Sequence, residues 1–233
     1  MPDPKTLDNL IAAACRIRTL ALRMVHKAQA SHIGSSLSTV ELLAVLYHDI
    51  LNVDPKNPDL PGRDRLIVSK GHGAAAVYAA LATRGFFPET DLDTYCQDGS
   101  LFLGHVSHTV PGVEFSTGSL GHGLPVGCGL ALAAKRDSLS HRVFVLLSDG
   151  ELDEGSNWEA LLFAAHHRLD NLTAILDFNK IQGYGNIADI LDLSPLAAKW
   201  QAFNWAVREI DGHDLAAIRH ALSDLPAATG RPT

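Results

Sequence analysis

Three cysteines among 233 residues, Cys15, Cys96 and Cys128, are too few and too scattered for a disulfide framework or a CxxC metal site. They read as reduced, mostly buried thiols of a cytoplasmic protein. Cationic residues are also scarce: 19 Lys and Arg stand against 26 Asp and Glu, a net charge of −7, which argues against a nucleic-acid surface. No apolar run approaches the roughly twenty residues a bilayer demands. The opening Met1-Pro2-Asp3-Pro4-Lys5 lacks the basic-then-apolar order of a signal peptide. There is no HExxH, no GxGxxG after the first strand, no internal repeat and no low-complexity stretch. No shift in composition marks a boundary, so residues 1–233 are expected to form a single domain.

What remains is a chain that is 46% hydrophobic and 19% charged, enough to build a sizeable core. Leu10, Ile11, Ala14, Ile17, Leu20, Ala21, Met24 and Val25 recur at helical spacing over residues 6–30. A second helix is expected from Ser38, with Glu41 closing a capping box, to about Leu51. Pro55, Pro58 and Pro61 make 52–62 a loop. Residues 64–69 read as a strand, 71–73 as a turn and 74–83 as a helix. The Gly- and Pro-rich stretch 85–121 reads as a long functional loop. Helix 122–135, strand 143–148, helix 154–168 and strand 172–178 follow. Then come a loop (182–194), a helix (195–203), a strand (205–210) and a last helix (214–222). Strands alternating with helices indicate an α/β fold with a parallel sheet and helices on both faces.

Two apolar strands end in oxygen-bearing residues: Val143 to Ser148 runs into Asp149-Gly150, and Leu172 to Asp177 runs into Asn179. Ligands bind α/β sheets at the carboxyl ends of the strands. A carboxylate and an amide carbonyl there suit Mg²⁺, which takes few protein oxygens and completes its shell with phosphate and water. Four histidines, His32, His72, His105 and His122, each sit beside Gly or Ser on an expected turn. There an imidazole can reach a ligand and handle protons or phosphate oxygens.

Taken in order, these segments resemble a transketolase. They are Ser31-His-Ile-Gly, Glu41-Leu-Leu, Ser69-Lys-Gly-His-Gly, Gly104-His, Pro111 through Gly118-Ser-Leu-Gly-His-Gly, Ser148-Asp-Gly-Glu-Leu-Asp-Glu-Gly and Asp177-Phe-Asn-Lys-Ile-Gln. More narrowly, they resemble the separately encoded N-terminal subunit of a split transketolase. The resemblance implies a thiamine diphosphate-binding fold, with Mg²⁺ (or another divalent cation such as Ca²⁺ or Mn²⁺) held by Asp149, Asn179 and the Ile181 carbonyl. It places His72, Gly121, His122, Gly150 and Glu151 along the cofactor, together with Asp149 and Asn179. It gives His32 and His105 the reacting carbon and the substrate hydroxyls, and Glu154 a proton relay across the subunit boundary. The implied reaction moves a two-carbon ketol unit from a ketose or ketose phosphate to an aldose. It would require a separate pyrimidine-binding subunit, in an α2β2 assembly.

Two departures stand out. Ser148 replaces the first glycine of the cofactor motif, which should be tolerated at a strand end. The family domain is expected to continue beyond Gly230-Arg-Pro-Thr with a further strand, so this chain is expected to lack the C-terminal end of that domain. One competing reading is a non-catalytic scaffold subunit. The others are enzymatic: a deoxyxylulose-phosphate synthase fragment, the α chain of a 2-oxoacid dehydrogenase, and a ketol or acyl transferase of secondary metabolism.

Overall fold

The structure, a computed structural model, describes residues 4–233. Met1 to Asp3, on which the absence of a signal segment partly rests, lie outside the described residues. The chain divides into two compact units built from separated stretches. One comprises the chain up to Arg63 with 71–118 and 210–223; the other comprises 64–70, 119–209 and 224–233.

In the first unit, α1 (Pro4–Ala28) buries Leu10, Ala14, Ile17, Leu20, Ala21, Met24 and Val25 along one stripe. Ile11 and Cys15 fall outside that stripe and are exposed. The second expected helix begins earlier and is broken into α2 (Ile33–Leu37), α3 (Val40–Val45) and a π-turn, Leu46–Ile50. The residue flanking the start of α3 is Thr39, with no side-chain cap, and not the expected Ser38. Ser38 ends α2, while the Glu41 carboxylate pairs with Arg18 and accepts from His213 Nδ1 at 3.0 Å. A short-range signal lost to two long-range partners. The unit also holds α4 (Ala74–Arg84) and α9 (Leu215–Ser223). The long loop carries one 3₁₀ segment, Glu89–Thr94.

The second unit holds the sheet: β1 (Arg65–Val68), β2 (Val143–Ser148) and β3 (Leu172–Asp177), all parallel in the order β1-β2-β3. Every residue of β2 is buried, as a central strand covered on both faces must be. Val143, Val145 and Leu147 pack in one cluster with Leu124 and Cys128 of α5 (Gly123–Arg136) and with Ala160, Leu161 and Ala164 of α6 (Gly155–His166). Burial pushes the Cys128 thiol up to about 12. It alone matches the expectation of buried cysteines; Cys96, like Cys15, is exposed.

Three further stretches differ from the sequence reading. Within 182–194 the chain makes a small antiparallel hairpin, β4 (Ile181–Gln182) and β5 (Gly185–Asn186), and a short helix, α7 (Ile187–Ile190). After α8 (Leu196–Ala202), residues 205–210 form no strand despite their composition. Ala206 donates to the Pro232 carbonyl, and Thr233 in turn bonds to Leu172 and Ala174 of β3. Pro232 and Thr233 thus lie between β3 and the 205–210 segment, which has this one ladder bond and too few for a strand.

Candidate active site

In the second unit the parallel register sets Ser148 beside Asp177, so the residues that follow leave the sheet at one edge. Asp149 is 2% exposed. Its Oδ1 accepts from Gly150 N at 2.9 Å and its Oδ2 from Lys180 N at 2.6 Å. Burial pushes this carboxyl above the usual carboxylate range, against the pull of those two amides; neighbouring Asp177 adds to the rise. Asn179 Oδ1 accepts from Ile181 N at 2.9 Å, while its Nδ2 faces Asp177 Oδ2 at 3.5 Å. The structure therefore brings Asp149, Asn179 and Ile181 together. Gly150 faces the hairpin, where an added Cβ would lie 3.0 Å from Gln182 Cβ.

Ser148 is not among the residues with positive φ, so the position needs no glycine. Glu151 is wholly buried. Its carboxylate accepts from Ser69 Oγ, from Gly121 N at 2.9 Å and from Ser148 N at 3.3 Å. Desolvation raises its pKa, and these hydrogen bonds oppose the rise. Gly121 sits at φ +85°, in the left-handed region, with room for no side chain: a Cβ would meet Glu154 Cβ at 2.6 Å and Ser156 Oγ at 2.7 Å. His122, exposed, immediately precedes α5, and Glu154, exposed, precedes α6.

Sequence reasoning assigns no role to Lys70, although it stands in Ser69-Lys-Gly-His-Gly. It is 1% exposed, and its ammonium pairs with Asp177. A lysine immediately after a buried strand is the available signal, because a buried ammonium needs a carboxylate partner.

The first unit gathers the remaining three histidines. The His32 ring lies 5.4 Å from His72 and 5.8 Å from His105, centroid to centroid. His32 itself is in the left-handed region at φ +68°, a conformation a non-glycine residue holds only under surrounding constraint. The His105 segment is fixed from behind. Buried Tyr78 donates its hydroxyl hydrogen to the His105 carbonyl at 2.8 Å and accepts from Ser107 N at 3.1 Å. Val106 N donates to the Gly71 carbonyl at 3.0 Å. No group of three or more His, Cys, Asp or Glu among the described residues could hold a metal by itself.

Partial burial first, and the charge of His105 second, hold the His32 imidazole below its ordinary 6.5. At pH 7 His32 is thus less protonated than an ordinary imidazole. Its contribution to stability is complete above 6.5 and is lost as pH falls through the lowered value. Imidazole NMR titration should find His32 below 6.5, and His105→Ala should raise it. A His32 titration unmoved by that substitution would contradict the pairing.

The profile of the transketolase thiamine diphosphate-binding domain matches residues 9–233. The chain is 45% identical over 219 residues to the 6-deoxy-6-sulfo-D-fructose transketolase subunit SqwG of Clostridium sp. (strain MSTE9), covering 93% of this chain and 79% of that protein. It is 46% identical over 216 residues to an apulose-4-phosphate transketolase subunit of Actinobacillus succinogenes, covering 92% and 78%. Among solved structures, the Campylobacter jejuni transketolase superposes with a TM-score of 0.90 at 31% identity, over 99% of this chain and 37% of that one. The Leishmania mexicana transketolase gives a TM-score of 0.89 at 32% identity, over 96% and 35%. The chain thus spans about a third of the length of these solved transketolases. An α/β unit whose neighbouring parallel strands present Asp149 and Asn179 at one edge, matched in profile, sequence and structure, belongs to the transketolase family, as its thiamine diphosphate-binding part.

Proposed function

We propose that this chain is the diphosphate-binding subunit of a split transketolase. It works only with a separate pyrimidine-binding subunit, the two forming an α2β2 assembly. The observation that carries the reading is the pair of oxygen donors, Asp149 and Asn179, at the carboxyl ends of adjacent parallel strands. The likeness to proteins named as transketolase subunits, most of whose length the chain covers, supports it. We take residues 1–233 as one cofactor-binding domain, working in the cytoplasm on a ketose or ketose-phosphate donor and an aldose acceptor.

The donor set fits Mg²⁺. Each Asp149 oxygen accepts one backbone hydrogen bond, which leaves a lone pair free on each. A desolvated carboxylate with spare acceptor capacity is stabilised by a hard cation that brings its own water and phosphate ligands. Asp149, Asn179 Oδ1 and the Ile181 carbonyl would hold the ion. Gly150, Gly121, His122 and His72 would lie along the diphosphate and the thiazolium. Thiamine diphosphate, when bound, supplies the nucleophilic carbon and the electron sink for breaking a carbon–carbon bond beside a carbonyl. His32 and His105 orient the sugar hydroxyls and hold or release their protons. Glu154, exposed ahead of α6, would relay a proton at the subunit boundary.

A ketol-transfer assay tests this reading. The purified chain alone should transfer nothing, and the reconstituted pair should turn over. In that pair His105→Ala should leave cofactor affinity near wild type while slowing turnover about 10²-fold, the scale of a lost proton-handling group. Steady transfer by the lone chain would remove the partner requirement.

A further inference from the structure

Glu151 sits in the cofactor motif, and its placement in the fold differs from that of a cofactor ligand. It is 0% exposed. One oxygen accepts from Gly121 N and from the Ser69 hydroxyl, and the other from Ser148 N. Its main-chain carbonyl accepts from Asn157 Nδ2 at 2.7 Å, which fixes the turn from below. Ser69 Oγ accepts in turn from Gly123 N at 3.1 Å, at the first residue of α5.

One carboxylate thus joins three separate segments. These are the Ser69 side chain just after β1, the Gly121–His122 turn that opens α5, and the last residue of β2, one position before Asp149. A buried carboxylate is costly unless its oxygens are bonded, and here each of them is. The buried Lys70 ammonium opposes the effect of desolvation. An apolar residue at 151 would orphan two buried N–H groups. An amide would set a donor against at least one donor.

We infer that Glu151 is a positioning residue: it holds the Gly121–His122 turn and the start of the Asp149-Gly150 turn at the spacing thiamine diphosphate requires, and does not itself touch the cofactor. The inference rests on the cofactor reading above.

The test uses the complex purified from its own cells, as wild type and as Glu151→Gln. Two quantities are measured: thiamine diphosphate affinity in Mg²⁺ by calorimetry, and backbone hydrogen exchange across 119–124 and 146–150. Glu151→Gln should weaken affinity about tenfold, the scale of a lost supporting hydrogen bond. It should speed exchange in those two segments while the α1 and α4 segments stay as in wild type. Turnover at saturating cofactor should change far less than affinity. Unchanged affinity, whatever happens to the melting temperature, would reduce Glu151 to a fold-stabilising residue and overturn the inference. Weakened affinity with unchanged exchange would make it a direct contact and overturn it equally.

Should Glu151→Gln fail to fold, Ser69→Ala removes only the hydroxyl between Glu151 and the start of α5. It should weaken binding and speed exchange over 119–124, and wild-type values for both would sink the idea. A wild-type complex that binds no thiamine diphosphate would instead remove the cofactor reading itself.

Discussion

Asp149→Ala should weaken Mg²⁺-dependent binding of thiamine diphosphate by roughly 10³-fold, more than the 10- to 100-fold typical of a residue that only supports a ligand. The substitution deletes one of the two side-chain oxygen donors, and with it the charge. It also frees the Lys180 N–H that Asp149 holds at 2.6 Å, so the turn carrying Asn179 and Ile181 loses its tie to β2. The buried carboxylate is costly in the folded chain, and burial is the first cause of its raised pKa. Stability without ligand should therefore fall little or even rise, while binding collapses. Calorimetric titration at saturating Mg²⁺, paired with a melting curve of the apoprotein, separates the two. Near-normal cofactor affinity in Asp149→Ala would place the metal elsewhere.

The second large effect concerns stability. Gly71→Ala should cost about 3 kcal/mol, the upper end of the usual range for overpacking, because the clash is with backbone. A Cβ at 71 would lie 2.5 Å from the Thr117 carbonyl carbon and 2.6 Å from Gly118 N. No rotamer change relieves that. The Gly71 carbonyl also receives the Val106 N–H, so displacing this backbone pulls on the segment that carries His105. A loss of that size should lower the melting temperature by about 6–12 °C for a chain of this length. An alanine variant melting within a degree or so of wild type would mean that the two segments do not approach as described.

The parts of this fold that were legible in the sequence are those where one signal dominates. β2 is a mostly apolar run buried along its whole length, and β3 is a mostly apolar run buried at Leu172 and Thr173 and half-buried beyond; between helices both read as strands. Their ends, Asp149 and Asn179, could be named because the residue type and the strand end coincide. Illegible features depended on distant partners. Ser38 and Glu41 have capping-box spacing, yet Glu41 turns to Arg18 and to His213, 172 residues away. The family resemblance sets Glu151 along the cofactor, and only the fold shows its oxygens bonded to Gly121, Ser69 and Ser148. Lys70 has no assigned role until β1 and β3 are set on either side of β2 and its ammonium meets Asp177. Trp205 to Ile210 has the composition of a strand, but a strand also needs a ladder, and the residue it bonds, Pro232, is one that local composition does not specify.

The most direct test of the central claim is native mass spectrometry of the untagged chain isolated from its own cells. A complex with a second, different chain, carrying thiamine diphosphate and a divalent cation in equal numbers, is the predicted result. A lone chain, free of cofactor and still free of it after thiamine diphosphate and Mg²⁺ are added, would contradict the account.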